Sequence, residues 1–113
     1  DLEFIEKGDK SKDLTSAALE QDIVGSSQAT FIWSAIIARD KWKYRERTYR
    51  YIYLDAGHIC QNLYLAAESL ELGVCAIGAF YDDVVNKIVG VDGIEETVIY
   101  MATVGLRSEI SEF

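Results

Sequence analysis

The sequence predicts a small domain of the α/β or α+β class, with helices packed on a sheet, and three observations predict it. Helical and strand-like apolar patterns alternate along the chain, which sets helices against a sheet rather than in a bundle. The 113 residues suffice for one hydrophobic core and not for two, so a single domain over residues 1–113 is expected. The composition is 50% hydrophobic and 27% charged with seven Tyr, a balance that buries a core and excludes a disordered chain.

Taken in order, Leu2 to Ile5 reads like a strand edge entered without a preceding turn, as if the sequence began in mid-domain. From Ser11 to about Val24, Leu14, Ala17, Ala18 and Leu19 recur at helical spacing, and Gly25-Ser26-Ser27 is expected to end that helix. Ala29 to Ala38 is a nearly unbroken apolar run rich in β-branched and aromatic residues, which predicts a buried central strand. Asp40 to Arg50 alternates charge with aromatic rings and reads as a loop or as the exposed lead-in to a helix. Between Tyr51 and Leu72 the stripe Ile52, Ala56, Ile59, Cys60, Leu63, Ala66, Ala67 and Leu70 predicts the longest helix, with Gly73 as its stop. Val74 to Ile77 predicts a short strand closed by Gly78-Ala79-Phe80. Asp82 and Asp83 then open a short amphipathic helix that ends at Gly90. Asp92-Gly93 marks a turn, and Thr97 to Val104 a last strand ended by Gly105.

Nineteen acidic residues against eleven basic ones give a net charge of −8, which disfavours a surface for the phosphates of nucleic acid. The basic residues Arg39, Lys41, Lys43, Arg45, Arg47 and Arg50 nevertheless cluster in one stretch. No apolar run is long enough to span a membrane and the first residues lack the layout of a signal peptide, so a soluble, cytoplasmic protein is expected. Cys60 and Cys75 lie in apolar segments without metal-site or disulfide-scaffold spacing and read as reduced core thiols; no metal site is expected. His58, near Asp55 on the long helix, reads as structural.

Pattern alone gives no function, because none of the common phosphate-binding motifs occurs. Three stretches carry a resemblance: Lys-Tyr followed by spaced arginines in KYRERTYRY, the helix LDAGHICQNLYLAAESLELG, and the turn CAIGAFYDD, with EETVIYMATVG as a closing strand. In this order the chain resembles the nitroreductase superfamily, and within it the SagB-type dehydrogenases related to azoline oxidases. The resemblance implies an α+β nitroreductase-like fold with helices on an antiparallel or mixed sheet, here the C-terminal part of such a domain. It further implies FMN as cofactor, a homodimer with flavins at the subunit interface, and two-electron redox chemistry on a small-molecule or peptide substrate. NAD(P)H or oxygen would be the co-substrate.

Carried over by residue, the resemblance makes Lys43 and Tyr44 the catalytic pair, with a lysine base made effective by the neighbouring Lys41, Arg45 and Arg47. The residues themselves read equally as a solvated basic loop. Ile77, Gly78 and Ala79 fall where the family approaches the flavin with backbone groups, although Gly78 also reads as an ordinary strand-ending glycine. Arg107 falls where the family places a basic residue on the FMN phosphate, and reads otherwise as a surface arginine. The family's N-terminal arginine- and serine-rich phosphate motif has no counterpart before Lys43, so weak FMN binding by this chain alone, and self-association to cover apolar surface, are expected. The second reading is a non-catalytic scaffold or interaction domain on the same fold.

Overall fold

Three strands, β1 (Ala29–Ile36), β2 (Leu72–Ile77) and β3 (Glu96–Leu106), form one antiparallel sheet in the order β1, β3, β2 in a computed structural model that describes residues 8–38 and 45–107. The centre therefore belongs to β3, whose residues Met101 to Val104 are all buried. Ala102 pairs with Phe31 on one side and Ala76 on the other, and Met101 with Ile32 and Ile77. The long apolar run of β1 led to the expectation of a central strand; among the described residues it is an edge strand instead, and Phe31 is half exposed. Its hydrophobic residues face the two cores described below and, in part, open surface. Gly105 does not end β3, which continues to Leu106 in register with Leu72 and Gly73 of β2.

Between Trp33 and Ser34 the register passes from Tyr100 to Val98, leaving Ile99 as the extra residue of a β-bulge. The bulge decides how β3 feeds both sheet faces. Val98 and Met101 join the same core cluster, whereas Ile99 packs with Ala35, Ile37 and Ile52 in the second.

The first face is covered by α1 (Ser11–Ala17), α2 (Asp22–Ser26) and α4 (Asp82–Val89), which contribute Leu14, Ala17, Val24 and Val85 to the cluster with Ile77, Val98 and Met101. The single helix expected from Ser11 to Val24 is broken, because Leu19 and Glu20 turn to φ 57° and 58° and redirect the chain. Gly25 lies inside α2 rather than ending a longer helix. α4 has no side-chain cap, but Asp82 and Asp83 lie in its first turn, where the helix dipole favours negative charge. It ends as expected at Gly90, in the left-handed conformation at φ 82°.

The second face is covered by α3 (Thr48–Ser69), preceded by a 3-10 turn over Arg45–Arg47. Cys60 of α3 meets Tyr100, the sheet neighbour of Met101, and successive strand side chains alternate between faces. Only a narrow line of the predicted stripe is buried, namely Ile52, Ala56, Cys60 and Ala67, joined by Thr48 at the helix start; Ile59, Ala66 and Leu70 are exposed. The helix stops at Ser69 and the chain reverses through Glu71 at φ 59°, so Gly73 serves inside β2 and not as the stop. The Ala76 amide of edge strand β2 donates to the Tyr64 hydroxyl at 2.9 Å, which ties α3 to the sheet. No helix among the described residues is long and apolar enough to cross a membrane. Leu2 to Ile5 lies outside the described residues.

Candidate functional site

The turn that follows β2 carries the predicted cofactor residues. Ile77 is 1% exposed and pairs with Met101, so the strand end is fixed in the core, while Gly78 and Ala79 emerge to the surface. Phe80 packs back against the first cluster. A Cβ built on Gly78 would meet no atom within 4 Å, so the space above this backbone is open.

The turn is held from behind by the α1–α2 corner. The Tyr81 amide donates to the Ala17 carbonyl at 2.7 Å, and Gln21 Nε2 donates to the Ala79 carbonyl at 2.9 Å and to the Ala18 carbonyl at 2.8 Å. Gln21 was not legible as a site residue, since a single polar residue between two helical segments carries no spacing signal.

The predicted catalytic pair Lys43 and Tyr44 lies outside the described residues. The chain re-enters at Arg45, whose carbonyl accepts a hydrogen bond from the Thr48 hydroxyl at the buried start of α3. One turn on, Ile52 packs on Ala35, Ile37 and Ile99, which sets the start of α3 at the Glu96 end of the sheet. Gly78 follows Ile77, the partner of Met101, so the turn also points toward that end. Between β1 and α3, on the same side, lies an open groove of about 340 Å³ lined by Trp33, Ile36, Ile52, Asp55, Ile59 and Glu96.

Arg107 stands at the opposite end of β3. Its Nε donates to the Leu72 carbonyl at 3.2 Å and its guanidinium pairs with Glu68, which ties the end of α3 to the sheet. Within one chain the structure brings Ile77, Gly78 and Ala79 together and leaves Arg107 apart from them.

Two titratable groups fill the α3 side of the sheet. Burial pushes the Cys60 thiol up, and burial first, then the neighbouring Cys60 and Tyr64, push the Tyr100 hydroxyl up. Trp33 packs on Tyr100 with ring centroids 6.1 Å apart and on Phe31 at 6.4 Å, an aromatic row across β1 and β3. Both cysteines are free thiols.

The sequence profile of the nitroreductase family matches residues 2–106. The chain belongs to the nitroreductase family. A Methanocaldococcus jannaschii protein assigned to the nitroreductases is 35% identical over 97 residues, covering 86% of this chain and 48% of that protein. A crystal structure from Anabaena variabilis, likewise assigned as a nitroreductase, superposes with a TM-score of 0.84 at 36% identity over 92% of this chain and 21% of that one. The NADPH:FMN oxidoreductase of Vibrio harveyi, solved with NAD+, shares the fold with a TM-score of 0.75 at 22% identity, over 88% of this chain and 46% of its own. This nitroreductase chain thus has the α+β nitroreductase-like fold and spans about half the length of the curated relative it matches.

Proposed function

We propose that the chain forms the C-terminal part of an FMN-dependent oxidoreductase of the SagB type, with Ile77, Gly78 and Ala79 against the flavin and Lys43 and Tyr44 as the proton-handling pair. The observation that carries this reading is the Gly78-Ala79 turn, whose backbone is exposed and open while both of its ends are fixed. Such a turn fits a flat ring, because nothing among the described residues occupies the space that a side chain on Gly78 would take. FMN, when bound, supplies the two-electron acceptor that the side chains lack. The residues here would hold the ring by backbone groups and move a proton at Lys43. Arg107, engaged by Glu68 and Leu72, is left out of that set.

The oxidised group would be a small acceptor or an azoline-type ring in a peptide, and NAD(P)H or oxygen would close the cycle. A homodimer is part of the proposal, supported by the apolar side chains that α3 leaves exposed. The alternative reading is a non-catalytic scaffold or interaction domain that keeps the fold without flavin. An absorbance scan after incubation with FMN and desalting tests flavin binding by this chain. Flavin bands near roughly 370 and 450 nm retained on the protein would support the flavoenzyme reading, and a colourless, folded protein would overturn flavin binding by this chain alone and leave a chain that needs a further half, or the scaffold.

A further inference from the structure

Gln21 joins two parts of the chain that are 58 residues apart. Its side-chain amide has two N–H groups, and both are used on carbonyls, Ala18 at 2.8 Å and Ala79 at 2.9 Å. Getting the side chain there requires an unusual corner: Leu19 and Glu20 are consecutive non-glycine residues at φ 57° and 58°, a conformation that L-residues disfavour. The corner is secured by the Glu20 amide on the Thr15 carbonyl at 2.9 Å and the Gln21 amide on the Ala18 carbonyl at 3.2 Å. The bond to Ala79 is exposed, so water could have satisfied that carbonyl equally well. What the side chain adds is direction.

A carbonyl and the N–H of the next residue point opposite ways across a trans peptide, and the described residues have no cis bonds. Holding the Ala79 carbonyl toward Gln21 therefore turns the Phe80 N–H away from the α1–α2 corner. The Tyr81 amide on Ala17 at 2.7 Å fixes the plane at a second point one residue on. We infer that Gln21 is a positioning residue for the flavin-facing turn, fixing through the Ala79 carbonyl the direction in which the Gly78 to Phe80 backbone is presented. This rests on the flavin reading above.

The test uses the full chain with Gln21→Leu and Gln21→Glu, and Asn86→Ala as a variant that loosens the fold elsewhere. Hydrogen exchange at the Gly78 to Tyr81 amides without flavin reads the hold itself. FMN affinity by fluorescence quenching, with the visible absorbance of the bound flavin, reads its consequence. Both Gln21 variants are expected to speed exchange in the turn, weaken FMN on the order of tenfold and shift the flavin bands, while Asn86→Ala leaves affinity and bands unchanged at comparable loss of stability. Wild-type exchange in the turn, or unchanged affinity and bands in folded Gln21 variants, overturns the inference. A wild-type chain that takes up no FMN while its turn still responds to Gln21 overturns the flavin reading, and the role assigned to Gln21 with it.

Discussion

Asn86 is 4% exposed on the buried face of amphipathic α4, and both ends of its side-chain amide are hydrogen-bonded. Its Oδ1 accepts from the Val98 amide at 2.8 Å, and its Nδ2 donates to the Thr97 hydroxyl at 3.1 Å. These bonds tie α4 to β3 beside the bulge. Asn86→Ala leaves the Val98 amide buried without a partner and is expected to cost about 1–3 kcal/mol, measured as a lower urea midpoint at unchanged slope. Asp92 orders the neighbouring turn, with Oδ1 accepting from the amides of Ile94, Glu95 and Glu96 at 2.8, 2.9 and 3.1 Å. The Glu96 amide first, then that of Ile94, hold its carboxyl below the usual range. A carboxyl with a depressed folded-state pKa contributes stability above its unfolded pKa and loses it as pH falls through the folded one. Asp92→Asn should therefore melt below the wild type near neutrality, with the gap closing in acid; a gap constant from about pH 6 to pH 2 would show that the carboxylate charge is not what orders the turn.

At the scale of single elements, α3 is informative because it holds a glycine at its middle that the fold does not require. Gly57 is exposed, and a Cβ there would meet no atom within 4 Å. Glycine inside a helix costs roughly 0.5–1 kcal/mol relative to alanine, so Gly57→Ala is expected to raise the stability of the isolated chain by about that much. A drop would overturn the reading that Gly57 faces open space. The 3.6-residue period made α3 and α4 legible and short apolar runs gave the positions of β2 and β3, although the glycines expected to end α3 and β3 lie inside strands. Gly90 and Asp92-Gly93 behave as their local chemistry dictates. What stayed hidden depends on partners distant in sequence. The rank of β1 in the sheet is set by β3 pairing on only one of its sides, and apolar content alone does not say which strand gains two neighbours. The break at Leu19 and Glu20 defeats periodicity, because neither residue is a glycine or proline. The same break hides Gln21, whose partner Ala79 cannot be read from spacing, whereas the turn at Gly78 and Ala79 is visible through a motif that spans strand, turn and helix.

For the whole molecule, the buried residues account for one sheet with both faces partly covered, and the uncovered part concentrates on α3. Tyr53, Leu54, Ile59 and Leu65 are 58%, 52%, 48% and 60% exposed along its middle, and Leu70 is 69% exposed at its end. Exposed apolar side chains of this size favour association in water, and a two-fold pairing of copies through α3 would cover part of them. A net charge of −8 on each copy opposes that pairing. Charge repulsion between exposed groups is screened as salt rises, over a Debye length of about 10 Å at 0.1 M, whereas burial of apolar surface is not weakened by it. Association driven by the α3 surface should therefore tighten when salt is raised from about 0.05 M to 0.5 M, as read by sedimentation equilibrium at micromolar protein. Leu54→Glu combined with Leu65→Glu should leave a monomer of unchanged helix content at both salts, because it sets two charges into the patch without touching a buried residue. A dimer that persists in this variant would move the interface off α3, and association that weakens with salt would assign it to charge pairs instead.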